Sequence, residues 1–406
     1  MPPHAGFMDF GRTPFLVIWE TTRACALACV HCRASAVPCR DPRELTTEEG
    51  CALIDQIAAL GEPGPGAPPA GTPSRRPLFV LTGGDPMLRK DLAALVAHAA
   101  GRGLTVALTP SGTAAATRAR LAELKSAGLS RIAVSLDGPS AEPHDAFRRV
   151  RGSYGWTMRI IDAAIALDLP LQINSTISRL TLPHLEAMAA RVSELPIALW
   201  ALFFLIRTGR GESLEQISAE ECERVLNYLY DLSLTAPFGI KTTEAPHYQR
   251  VVWQREHGGR KGQEGQEGRE GREGQIGRER RRQPLRAPRA VNDGNGFVFV
   301  DHIGNICPSG FLPAVRGNIR TDRLDAVYRH DEMFVRLRHS NSLLGKCGRC
   351  RFREICGGSR SRAFAATGAV MASDPLCVYE PGPAEDPIGP GDIQRSPHVS
   401  DTAHAH

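Results

Sequence analysis

No run of the 406-residue chain is long and apolar enough to span a bilayer. Residues 1–12 hold no basic segment followed by an apolar one, so no secretory signal is read there and the cytoplasm is the expected compartment. A strong excess of one charge is missing too. The formal net charge of +5 suits an anionic substrate or redox partner but falls short of a nucleic-acid footprint. Partners are therefore expected among small molecules and redox proteins, with no nucleic acid and no membrane. What the chain does carry is 11 cysteines, which in a reducing compartment point to metal or redox chemistry rather than a disulfide framework.

Cys25, Cys29 and Cys32 form a Cys-x3-Cys-x2-Cys cluster just after the apolar segment 15–19. Three thiolates on one loop can hold three irons of a cubane, and no fourth cysteine stands beside them, so one iron stays open. An open coordination position is where a metal centre does chemistry, and the hard organic step then belongs to the cofactor. The alternatives are buried structural cysteines and zinc, whose motifs usually pair two cysteines with a second pair.

The triplet resembles the signature of radical S-adenosylmethionine (SAM) enzymes. That resemblance implies that the open iron of a 4Fe-4S cluster binds the amino and carboxylate groups of SAM. Reductive cleavage then releases methionine and a 5′-deoxyadenosyl radical, which abstracts hydrogen from a substrate. His31 stands where many members carry an aromatic residue, and some subfamilies share the histidine.

From residue 14 to about 206, short apolar runs alternate with amphipathic stretches, the pattern of βα units on a parallel sheet. Strands are predicted at 15–19, 78–81, 104–108, 131–136, 171–176 and 198–205, and helices at 46–60, 88–102, 114–127, 156–167 and 182–195. The fold class is α/β, and the resemblance implies a partial (βα)6 TIM-like barrel followed by a small cysteine-rich SPASM-type domain. The expected organisation is an N-terminal extension at 1–13, the barrel at 14–236 and a connector at 237–254. A Gly/Gln/Glu/Arg linker at 255–289 follows, then the SPASM-type part at 290–380 and a tail at 381–406. The Pro/Gly-rich segment 61–77 reads as a loop insertion, and low apolar content predicts disorder for the linker and the tail.

Ligands of parallel α/β sheets collect at the carboxyl ends of the strands, and the cysteine triplet follows the first strand. After the second strand come Gly83, Gly84, Asp85 and Pro86, where paired glycines let backbone approach a ligand closely. They resemble the family's Gly-Gly-Glu-Pro segment, which contacts the methionine amino group. By the same resemblance Ser111 after strand three, Ser135 on strand four and Asn174 on strand five are SAM contacts. Arg148 can pair with the SAM carboxylate through its planar fork. The competing readings are a turn for the glycine segment, a turn-capping carboxylate for Asp137 and a surface arginine for Arg148.

Near the C-terminus, Cys347, Cys350, Cys356 and Cys377 supply four thiolates whose short loops can close on one metal centre. On spacing alone they satisfy Zn2+ as well as a cluster. They resemble the auxiliary-cluster part of SPASM domains, which implies a second 4Fe-4S cluster that carries electrons. The full SPASM pattern has further cysteines where Arg360 and Asp322 stand, so one complete auxiliary cluster is expected, with Cys307 left over. Residues 297–305 read as a β-hairpin leading to Cys307, and Cys39, Cys51 and Cys222 as small buried hydrophobes.

The expected function is thus a radical SAM oxidoreductase. Its resemblance is to a subgroup of haem-pathway iron-coproporphyrin decarboxylases and peptide-cofactor maturases. Only a short segment precedes strand one, where peptide maturases usually carry a peptide-binding domain, and this favours oxidative decarboxylation of a tetrapyrrole over modification of a peptide. The polar segment 241–248 reads either as a loop tying the barrel to the SPASM-type part or as part of the substrate pocket, where His247 meets a haem-like iron or Lys241 and Arg250 a propionate. Flavodoxin or ferredoxin is the expected reductant. A non-catalytic Fe-S carrier or a zinc-binding protein is the alternative of another class.

Overall fold

Apolar runs of alternating burial become strands, and those strands line up because helices cover only one face of them. The computed structural model describes residues 9–61, 76–258, 291–382 and 387–389. The insertion, the linker and the tail read from the sequence lie almost wholly outside the described residues. Ten strands form: β1 (Leu16–Glu20), β2 (Leu78–Thr82), β3 (Thr105–Leu108), β4 (Leu129–Ser135) and β5 (Leu171–Ile177). They continue with β6 (Leu199–Phe204), β7 (Gly239–Thr243), β8 (Phe297–Val300), β9 (Asn305–Cys307) and β10 (Gly317–Asn318).

All ten belong to one sheet in the order β10-β9-β8-β1-β2-β3-β4-β5-β6-β7. Strands β1 to β7 run parallel to their neighbours, and β8 adds in parallel to the other edge of β1. β9 and β10 then reverse direction as an antiparallel extension. β7 and β10 end the strand order without pairing to each other, so the barrel stays open. Residues 297–318 thus join the barrel sheet itself. Phe297 pairs with Leu16, and Val298 and Val300 are fully buried, so an apolar strand without its own second layer finds one beside β1.

On the helix-covered face, Phe79, Leu81, Val106, Leu108, Val134 and Ile173 are fully buried. Each such side chain contributes roughly 1.5–3 kcal/mol. Trp19 packs so tightly on the helix Thr47–Leu60 that a Cβ at Gly50 would stand 2.6 Å from its ring. That helix starts with a capping box between Thr46 and Glu49. Asp91 precedes the helix Leu92–Gly101 but makes no cap bond, because Arg89 (2.6 and 2.9 Å) and Thr47 (2.7 Å) occupy its carboxylate.

The opposite, lumen-facing side carries smaller residues. Register aligns Ser135, Asn174, Ala201 and Lys241 in one row across β4 to β7. A second row, nearer the strand starts, aligns Ile18, Val80, Ala107 and Arg131 across β1 to β4. The helix Ala141–Arg148 is not read from the sequence, since eight residues with a proline near the start are short for a helix signal. Burial of His144, Phe147 and Arg148 holds it.

Candidate functional site

The loop after β1 carries Cys25, Cys29 and Cys32, and backbone from two other strands clamps it. Gly84 and Asp85 donate their amides to the Thr22 and Ala24 carbonyls, each at 2.7 Å. A Cβ on Gly84 would lie 2.3 Å from the Ala24 oxygen and one on Gly83 2.6 Å from that of Thr22, so this approach requires glycine. From the far side, the turn after β6 reaches the same loop. Arg210 donates its amide to the Cys32 carbonyl (3.0 Å), Nε to that of Cys29 (2.9 Å) and Nη1 to that of Ala36 (2.8 Å). Gly209 adopts a φ of +56° with no room for a side chain against the Cys32 and Arg33 carbonyls. Sequence reading missed this second clamp, because nothing local links residue 210 to residue 29; the Gly-Arg pair in the turn beyond β6 was its one visible sign.

Asp85 turns inward. Its carboxylate accepts from the Thr113 hydroxyl at 2.6 Å and from the amides of Met87 (3.2 Å) and Ser111 (3.4 Å). Burial raises its pKa against those bonds. The Ser111 hydroxyl donates to the Gly84 carbonyl and lies 3.5 Å from the Cys25 sulfur. Pro86 opens a short 3-10 turn that Asp85 caps. The glycine segment, Ser111 and the first cysteine therefore meet at one spot.

Arg148 is buried and meets the second cysteine: Nη1 lies 3.6 Å from the Cys29 sulfur, and Nη2 pairs with Asp137. Burial opposes both charges, yet the pair wins, holding the Asp137 carboxyl below and the Arg148 guanidinium above their usual ranges. Asp137 also accepts from the Thr176 amide at 2.6 Å, which ties the ion pair to β5. His31 stacks on Phe147 with centroids 4.4 Å apart, and burial, reinforced by Arg148, lowers its pKa to about 3. Ser135 and Asn174 are half-buried neighbours on the lumen face, with the Asn174 amide oxygen accepting from Gln172 at 2.6 Å.

The four C-terminal cysteines come together. Cys347, Cys350, Cys356 and Cys377 line one cavity with His247, Arg250 and Lys346. Burial pushes the Cys377 thiol up to about 11 and the Cys356 thiol well above its usual value, with neighbouring thiols adding to the latter. Among the described residues, no three His, Cys, Asp or Glu side chains converge on single-ion geometry. A cubane takes each thiolate to a different iron, which sets cysteine sulfurs further apart than one ion does.

Arg360, standing where a SPASM cysteine was expected, is fully buried with Nη2 3.8 Å from the Cys347 sulfur. Nη1 donates to the carbonyls of Val370 (2.9 Å) and Ala372 (2.7 Å). Asp322, at the other such position, closes a turn by accepting from the Asn318 amide at 2.8 Å. Cys307 lies apart from the four, on β9, and burial pushes its thiol up to about 12. Cys222 is buried as expected, Cys51 only partly, and Cys39 is exposed because its loop leaves the sheet.

His247 and Arg250, expected at the substrate pocket, instead line the four-cysteine cavity. The chain turns at Pro246 into the helix His247–His257, whose first turn faces the C-terminal loops. His247 Nε2 lies 3.3 Å from Asp374, and Arg250 stacks over Tyr379 while bonded to Glu223 at 2.9 Å. Lys241 does stand on the lumen face, where burial lowers its pKa.

Residues 70–190 match the family model described as the radical SAM superfamily. A relative from Oleidesulfovibrio alaskensis named "AdoMet-dependent heme synthase" is 38% identical over 390 residues, covering 94% of this chain and 93% of that protein. One of the same name from Methanosarcina barkeri is 34% identical, covering 91% and 98%. Among solved structures, Streptococcus suis SuiB bound to S-adenosylmethionine is similar at TM-score 0.64 and 13% identity, covering 91% of this chain and 78% of that one, a likeness of fold. Clamped cysteine loop, open parallel barrel and full-length kinship agree, and the chain belongs to the radical SAM superfamily.

Proposed function

We propose that this radical SAM enzyme oxidatively decarboxylates propionate side chains of an iron-bound tetrapyrrole, as the final stage of a haem synthesis. The observation that carries the reading is kinship over nearly the whole chain with two proteins named AdoMet-dependent heme synthase. When bound, a 4Fe-4S cluster and SAM supply a 5′-deoxyadenosyl radical as hydrogen abstractor. Cys25, Cys29 and Cys32 are the proposed ligands of that cluster. Two clamps of backbone and arginine support this assignment by holding their loop at the carboxyl ends of the strands.

Around it, Gly83 and Gly84 let the turn after β2 close on the cysteine loop. Asp85 and Pro86 hold the glycine turn, and Ser111, Ser135 and Asn174 offer polar groups to SAM. Arg148, neutralised by Asp137, steadies Cys29. Cys347, Cys350, Cys356 and Cys377 are the proposed ligands of an auxiliary 4Fe-4S cluster, supported by the cavity they share. The substrate radical loses CO2 and one electron as its vinyl group forms. A one-electron carrier of the ferredoxin or flavodoxin class completes the electron balance.

Anaerobically reconstituted protein, given iron-coproporphyrin, SAM and dithionite, is expected to convert propionates to vinyl groups stepwise, read by mass spectrometry. Unchanged porphyrin beside continuing 5′-deoxyadenosine release would overturn the tetrapyrrole reading and direct the search to peptide substrates.

A further inference from the structure

Among the described residues, the lumen face of the barrel carries two cations, Arg131 and Lys241, without partners. Arg131 lies on β4 on the same face as Ala133 and Ser135, in the row with Ile18, Val80 and Ala107. Lys241 lies on β7, in the row with Ser135, Asn174 and Ala201. Both are half-buried. Among the described residues neither makes an ion pair or a hydrogen bond, and the Arg131 Nε is buried with no partner. Burial alone lowers both pKa values, with no carboxylate acting the other way. Arg33, Arg148, Arg250 and Arg362, by contrast, are each met by a carboxylate: Glu20, Asp137, Glu223 and Asp374. Withdrawing a cation from water without a counter-charge is unfavourable, and a ligand that brings the missing charge relieves the cost.

The spacing limits which ligand can do this. Arg131 is four residues from Ser135 on β4, roughly 13 Å at a strand's rise, and Lys241 is three strand spacings away, roughly 14 Å before curvature shortens the chord. A small monoacid reaches one cation only. Between them the face carries Ala133, Ser135, Gln172, Asn174, Leu199 and Ala201, a floor of mixed small, polar and apolar side chains.

We propose that Arg131 and Lys241 are two anchors for separate carboxylates of one broad polycarboxylate ligand, and that they select it over monocarboxylates and peptides. The inference rests on the tetrapyrrole reading above and adds the residues that read its propionates. Arg131 takes a carboxylate deep in the barrel through its planar fork, and Lys241 takes one nearer the cysteine loop as a point charge.

The test is an absorbance titration of iron-coproporphyrin into reconstituted protein, wild type against Arg131→Met, Lys241→Met and Lys241→Arg. Each Met variant is expected to weaken binding at least tenfold, with Lys241→Arg retaining most of the affinity. Binding within twofold of wild type in both Met variants would overturn the anchors while leaving the tetrapyrrole reading intact. A wild-type protein that binds no iron-coproporphyrin sinks both. Should the variants not fold, the unaltered protein decides the matter with the tetramethyl ester of the same porphyrin. Loss of tenfold or more on esterification supports the anchors, and equal binding of acid and ester overturns them.

Discussion

The two cysteine sites solve one problem in opposite ways. The loop of Cys25, Cys29 and Cys32 has little structure of its own and is clamped by the glycine turn after β2 and by Arg210 after β6. The C-terminal four are held by their own short turns around a shared cavity. Each site brings one buried arginine to a cysteine sulfur, but Arg148 is paired with Asp137, whereas Arg360 donates to backbone carbonyls. The first loop takes its rigidity from the barrel, and the second from its own turns.

The largest expected effect tests that division. Cys29→Ala should cut 5′-deoxyadenosine release by more than about 10^3-fold, because the hard step belongs to the cofactor at that loop. Cys350→Ala should keep that release and lose product instead. Chromatography of nucleoside and product reads both, and equal loss of nucleoside in the two variants would erase the distinction.

The arginines come next. Arg148→Met strands a buried Asp137 and should cost about 3–5 kcal/mol, read by chemical denaturation. Arg360→Met strands no carboxylate. It should cost less stability and instead lower the auxiliary midpoint potential by about 59 mV, a tenfold change in a one-electron reduction constant. An EPR-monitored titration with unmoved potential would assign Arg360 to packing alone.

Acid should lower the stability of the fold through the histidines beside the first site. Burial, reinforced by Arg148, depresses the His144 pKa to about 4 from 6.5. The unfolded chain therefore takes up that proton first as pH falls, and stability drops between pH 6.5 and about 4, by up to about 3 kcal/mol. His144→Asn should make that slope shallower in denaturation curves, leaving the share of the likewise depressed His31, and an unchanged slope would remove His144 as a contributor. The smallest effect belongs to Gly84→Ala, whose Cβ would meet the Ala24 oxygen at 2.3 Å. A cost of about 1–3 kcal/mol, with lower iron retention at the triplet only, is expected from overpacking. Normal iron at the triplet would show that the glycine turn is no clamp.

Much of this was legible without coordinates. All six predicted barrel strands formed, since parallel strands read as apolar runs whatever their neighbours. The 297–305 hairpin formed as well, but not its pairing with β1, because a strand's partner is a matter of available edge rather than of its own residues. His247 and Arg250 were expected at the substrate and met the four cysteines instead, turned there by the helix at Pro246. Arg210 left only a Gly-Arg pair beyond β6 as a sign and Arg360 only the place of an expected cysteine, since each acts on residues distant in the chain or through a contact that any buried cation could have made.

Residue order alone determined which side chains carry the chemistry, because thiolate spacing and apolar alternation are local properties of the chain. Which groups share a face, which cations are paired and which stand alone inside the barrel was decided only by tertiary structure. Those relations join β4 to β7 and residue 29 to residue 210, and they exist only once burial of the common core has fixed the sheet's register.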